Sequence, residues 1–107
     1  MMENIDFEIT IHDSSHNGIC YVDFHDGEYI INALSVFSRY QNKGTGTFLM
    51  KSAEEFIRKL NGNKAILYVE EGTWQADWYK RLGYKISDIQ DRCNKYVRMG
   101  KELKIEL

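Results

Sequence analysis

The chain has no proline, only two cysteines in 107 residues, and no apolar run longer than a few residues. Without proline, turns must be built by Gly, Asn and Asp, as at Asp26-Gly27 and Asn61-Gly62-Asn63. Cys20 and Cys93 lie far apart and form no C-x-x-C, which excludes a metal knuckle or paired redox centre and implies a reducing, cytoplasmic home. The N-terminus, Met1 to Asp6, has no basic region followed by an apolar stretch, so neither a secretion signal nor a membrane span is expected. Charge of one sign is also lacking. Fourteen Lys plus Arg stand against sixteen Asp plus Glu, for a net charge of -2, and this balance gives no broad attraction to nucleic acid or an anionic membrane.

What is present is aromatic and apolar: 13% aromatic and 43% hydrophobic residues, too many for a disordered chain. At this length folding buries roughly 60 to 65% of the unfolded chain's surface, enough for one core and one domain, 1–107. Ile5, Phe7, Ile9 and Ile11 alternate with polar residues, the period of a half-buried strand. Ile19 to Phe24 and Tyr29 to Phe37 predict two more strands, with a hairpin at Asp26-Gly27. The three form an antiparallel meander.

Phe48, Leu49, Ala53, Phe56, Ile57 and Leu60 then recur at helical spacing. Glu54 with Arg58 and Glu55 with Lys59 would pair on the outer face of that helix, and Asn61-Gly62-Asn63 would stop it. Ala65 to Val69 reads as a strand covered on both faces, joined to the third strand by a right-handed parallel crossover. Trp74, Trp78, Tyr79 and Leu82 mark a short helix ending at Gly83, and strands follow at Tyr84 to Ile89 and Lys95 to Met99. Leu103, Ile105 and Leu107 alternate in the tail. The fold class is α/β with a mixed sheet.

The segment Gln41-Asn42-Lys43-Gly44-Thr45-Gly46-Thr47 lies between a strand and the start of the longest helix. There the unpaired N–H groups and the positive end of the helix dipole converge on a phosphate-binding place. The spacing fits neither a P-loop nor a dinucleotide-binding fingerprint. Read alone, the glycines could equally shape the loop while Thr45 or Thr47 caps the helix.

Gln41-x-x-Gly44-x-Gly46, taken with Tyr79-Lys80-Arg81-Leu82-Gly83-Tyr84, resembles the two signature segments of the GNAT superfamily of acetyl-CoA-dependent N-acetyltransferases. The resemblance runs from about Ile5 to Lys104. It implies that the amides of Gln41, Asn42, Lys43, Gly44, Thr45, Gly46 and Thr47 hold the diphosphate of coenzyme A. It also implies a gap between the strand before the loop and the strand at Ala65, with main-chain groups of Leu34 and Val36 pairing with the pantetheine arm. Tyr79 matches the tyrosine that protonates the departing thiolate, a step favoured by a thiol pKa near 8.5 and a tyrosine pKa near 10. The implied reaction moves an acetyl group from acetyl-CoA to the primary amine of a small molecule or peptide.

Gly72 stands where the family often has a cofactor-contacting Asn, and Ser38 where Pro is common. Ile30 and Tyr68 stand where some members carry a basic Glu, which leaves Glu70 or a water relay as the base and a solvated strand end as the plain reading of Glu70-Glu71. The family's opening strand and helix pair has no counterpart before the meander. The acceptor groove is therefore expected to be open, or completed by a partner, such as a second copy of this chain in a homodimer that uses the alternating tail. The alternative to an enzyme is a non-catalytic acyl-CoA-binding or assembly module. His12, His16 and His25 fall on turns without ligand spacing, so no metal is expected. Cys20 reads as core, and Trp74 and Trp78 as packing under the sheet rather than as a stacking platform, or as lining for the acceptor groove.

Overall fold

Alternating apolar and polar residues build the first half of a mixed sheet. The computed structural model describes residues 7–12, 17–36, 44–93 and 96–103. Strands β1 (Phe7–His12), β2 (Gly18–His25) and β3 (Glu28–Val36) pair antiparallel in chain order, with Ile9 opposite Val22 and Val22 opposite Ile31. The expected hairpin turns at Asp26 and Gly27, both at positive φ (50° and 80°), the geometry that Asp-Gly favours. Ile5 lies outside the described residues.

β3 is not regular. Ile19 pairs with Ser35 and Tyr21 with Asn32, so β3 carries one more residue than β2 between these points, a bulge that reverses which side chains face the core. Ile31 faces inward before it, and Leu34 and Val36 after it.

Helix α1 (Thr45–Lys59) leads to β4 (Lys64–Glu70), which is followed by α2 (Trp74–Arg81), β5 (Lys85–Cys93) and β6 (Tyr96–Glu102). β4 runs parallel to β3, as the crossover requires, and β6 enters between β4 and β5 to give the order β1-β2-β3-β4-β6-β5. The parallel seam is short. Only Tyr29 with Ala65 and Ile30 with Ile66 are in register, and beyond them the two strands part.

Leu49, Met50, Ala53 and Ile57 of α1 form one core cluster with Ala76 of α2, Tyr84, and Val22, Ile31, Leu67, Val97 and Met99 of the sheet. Both helices therefore cover one face of the sheet. Full burial of each large aliphatic side chain in that layer contributes about 1.5–3 kcal/mol. α1 ends where expected: Asn61 takes a positive φ of 67°, its N–H donates to the Arg58 carbonyl, and the Gly62 N–H donates to Ile57 O at 2.8 Å.

Two expectations are corrected. Glu54 does not lie on the outer face of α1; it is buried, accepts the Tyr84 hydroxyl at Oε2 (2.8 Å) and receives Lys101 Nζ at Oε1 (3.0 Å). Position 54 shares its stripe with Met50 and Ile57, and β6 supplies the cation that makes the burial tolerable. On the outer face Glu55 lies 3.9 Å from Arg58, at i,i+3. Nor is β4 covered on both faces. Ala65, Leu67 and Val69 point into the core, but Tyr68 is 43% exposed, its hydroxyl accepting a hydrogen bond from Arg98. Arg98 also pairs with Glu28, reaching past Ile66 on the side that no described helix covers.

Candidate active site

Beside the length of β3 that has parted from β4 lies a cleft of about 430 Å³ on the helix side of the sheet. Leu34, Ser35 and Val36 of β3 form one wall, and Gly44, Gly46 and Thr47 close it at the start of α1. The opposite wall is α2, through Trp74, Gln75, Trp78, Tyr79 and Arg81.

α1 begins without a capping side chain. Gly44 occupies the N-cap at a φ of 85°, a left-handed conformation suited to glycine, and the first turn contains no acidic residue. Neither Thr45 nor Thr47 serves as the cap. Among the described residues no side chain caps the first-turn N–H groups, which stand at the positive end of a 15-residue helix where a ligand can meet them. Gln41, Asn42 and Lys43, the other expected members of this loop, lie outside the described residues.

Gly46 also serves packing. A Cβ placed there would meet Trp78 Cη2 at 3.4 Å, so this backbone and the indole already lie in close contact across the cleft. α2 is set by Thr73, whose hydroxyl donates to Glu70 O at 2.7 Å and accepts from the Ala76 N–H at 3.3 Å. Ala76, Tyr79 and Leu82 form the stripe that packs on the core. Trp74, Trp78 and Arg81 form the adjacent stripe, which faces the cleft. The tryptophans do not both pack under the sheet, the first of the readings open for them. Trp78 does so in part, whereas Trp74 is 68% exposed at the rim. In so short a helix the two stripes adjoin, and only the buried Ala76 tells them apart.

Tyr79 bridges core and cleft. Its ring lies 5.1 Å from that of Trp78 and edge-on to Tyr84 at 6.0 Å. Burial, with a smaller contribution from the nearby Cys20 thiol, raises its pKa above the usual tyrosine range, so the hydroxyl stays protonated through neutral pH and beyond. Cys20 itself is core. Its thiol is buried 4.0 Å from Leu49 O and is pushed up to about 11 by desolvation, the state of an inert thiol.

The sequence-derived residues Leu34, Val36, Gly44, Gly46, Thr47 and Tyr79 therefore meet in one cleft, and Thr45 adjoins it in the first turn of α1. Glu70 does not line it. This residue ends the parted length of β4, and strand alternation places it on the Tyr68 side of the sheet. Trp74, Gln75, Trp78 and Arg81 are cleft residues that the motifs did not assign a ligand. The i, i+4, i+7 spacing of 74, 78 and 81 was the available signal.

Known structures share this architecture. The coenzyme A complex of the paia N-acetyltransferase from Thermoplasma acidophilum superposes with a TM-score of 0.75 at 20% identity, over 89% of this chain and 60% of that one. The ribosomal-protein-S18-alanine N-acetyltransferase of Escherichia coli gives 0.74 at 14% identity, over 92% and 71%. Nourseothricin acetyltransferase gives 0.73 at 16%, over 92% and 66%. The chain thus spans less than two thirds of the length of the first and of the third of these. No curated protein matches it. The model of the acetyltransferase (GNAT) domain matches residues 7–86, a span that takes in the bulged strand, the uncapped helix start and Tyr79, and by this match the chain belongs to the GNAT acetyltransferase family.

Proposed function

We propose that the chain is an N-acetyltransferase that uses acetyl-CoA as donor and a primary amine as acceptor. The observation that carries this is the convergence on one cleft of a strand edge, an uncapped helix N-terminus and a protonated tyrosine. An extended ligand with amide groups can hydrogen-bond to main-chain groups of Leu34 and Val36 as a further strand would. The N–H groups of the first turn of α1 can hold a diphosphate. Acetyl-CoA supplies an activated thioester carbon. As the amine forms the new C–N bond and the C–S bond breaks, Tyr79 donates its proton to the departing sulfur and recovers one from solvent. The proton lost by the amine leaves through a water relay or reaches Glu70, which stands at the end of β4 outside the cleft lining.

Glu70 lies outside the cleft lining, which favours a second reading: a non-catalytic acyl-CoA-binding or assembly module. Calorimetric titration with acetyl-CoA, followed by thiol release with peptides, polyamines and aminoglycosides, separates the two. Binding with turnover is the expected result. Binding without turnover across the panel would give the second reading, and no binding at millimolar cofactor would end both.

A further inference from the structure

Trp74 has no role in the steps above, yet among the described residues it is the most exposed of the large apolar side chains, 68% accessible at the rim of the cleft. Its position orders the site. α2 starts at the end of β4 where the two strands have parted, beside the start of α1, and runs inward from there. Trp78, one turn further in, touches Gly46, and Tyr79 lies deeper against Tyr84. From mouth to floor the sequence is therefore Trp74, then Trp78 with Gly46, then Tyr79.

A ligand whose diphosphate rests on the first turn of α1 and whose sulfur reaches Tyr79 must leave its remaining part outside the diphosphate, at the mouth. In coenzyme A that part is adenosine. The cleft volume of about 430 Å³ lies toward the small end of ligand sites, about 300–1,000 Å³, so the nucleotide lies over the rim rather than within. Resting on the coenzyme A reading above, we infer that Trp74 is the stacking platform for the adenine ring, and that it selects a nucleotide-bearing donor over a bare phosphopantetheine thioester. An indole offers a purine a flat apolar surface, and one base–aromatic stack changes affinity by roughly 10-fold or more.

The test titrates the full chain calorimetrically with 3′-dephospho-coenzyme A and with 4′-phosphopantetheine, for wild type, Trp74→Ala and Trp74→Phe. The expected result is that Trp74→Ala weakens the nucleotide ligand roughly 10-fold, leaves phosphopantetheine unchanged, and that Trp74→Phe falls between. Because phosphopantetheine binds through the rest of the cleft, its unchanged affinity reports an intact fold. Equal loss for both ligands, or no loss for either, would overturn the platform. Wild type binding the two equally would overturn it too while leaving the coenzyme A cleft standing, and wild type binding neither would overturn both.

Discussion

The Tyr84 hydroxyl donates to Glu54 Oε2 across 2.8 Å, tying the residue that leads into β5 to the middle of α1. Tyr84 also donates its N–H to the carbonyl of Tyr79 at 3.0 Å. The buried carboxylate is completed by Lys101 from β6, so one acid holds together three elements around the inner end of the cleft.

Removing the acid or one of its partners should be costly. Tyr84→Phe leaves Glu54 buried with one hydrogen bond fewer and is expected to lose about 1–3 kcal/mol. Glu54→Ala strands Lys101 and the phenol together and should cost more, about 3 kcal/mol. Urea unfolding with an unchanged m-value would measure both.

Alkaline pH provides a second handle on Tyr84. Burial first, and then the neighbouring Glu54, raise its pKa far above that of an exposed tyrosine. The folded state thus holds this proton more tightly than the unfolded state does. The associated stability is complete below the unfolded value near 10 and is lost as pH rises toward the folded one, at about 1.4 kcal/mol per pH unit. Wild type should therefore lose stability between pH 10 and 11.5 more steeply than Tyr84→Phe, as read by chemical denaturation.

The β1 edge of the sheet should respond in the same direction, at lower pH. Glu8 stands directly across from Asp23 in the β1–β2 register, and a hydrogen bond to Asp23 raises its pKa. A raised carboxyl pKa gives stability that is present below the unfolded value and lost as pH rises. Glu8→Gln should thus raise the melting temperature at pH 7, and the gain should disappear at pH 4.

At the cleft, Gly46→Ala is expected to be tolerated, since its Cβ meets Trp78 at an ordinary 3.4 Å. Gly46→Leu would fill the space between α1 and α2. It should abolish acetyl-CoA binding in calorimetry while the melting temperature moves little.

Tyr79→Phe should lower thiol release with little change in acetyl-CoA affinity. Since burial raises the Tyr79 pKa, any loss of rate from its ionisation should begin above pH 10. An unchanged rate would remove Tyr79 from the mechanism.

Local chemistry made the hairpin at Asp26-Gly27, the stripe of α1 and the end of that helix at Asn61 legible, because each depends on residues a few positions apart. The glycine and tyrosine segments also pointed to residues that meet in one cleft. Glu54 was misplaced because its partners, Tyr84 and Lys101, lie 30 and 47 residues away. A helical wheel shows that position 54 adjoins the core stripe, but not that a distant lysine will accompany it. Trp74 was left between two readings because eight helical residues carry two adjoining stripes, and only packing decides which of them meets the sheet. The extent of the β3–β4 seam was illegible from pattern alone, since the residues past Ile30 and Ile66 are as strand-like as those before.

That seam gives the sheet an unusual perimeter. An open sheet has two edges, here β1 and β5, whereas the parting of β3 and β4 creates two more in its interior. Free edges invite other strands and, with them, aggregation. The β3 edge is recessed behind α2 and the start of α1. The edge that can receive a ligand is therefore screened by helix from pairing with another strand.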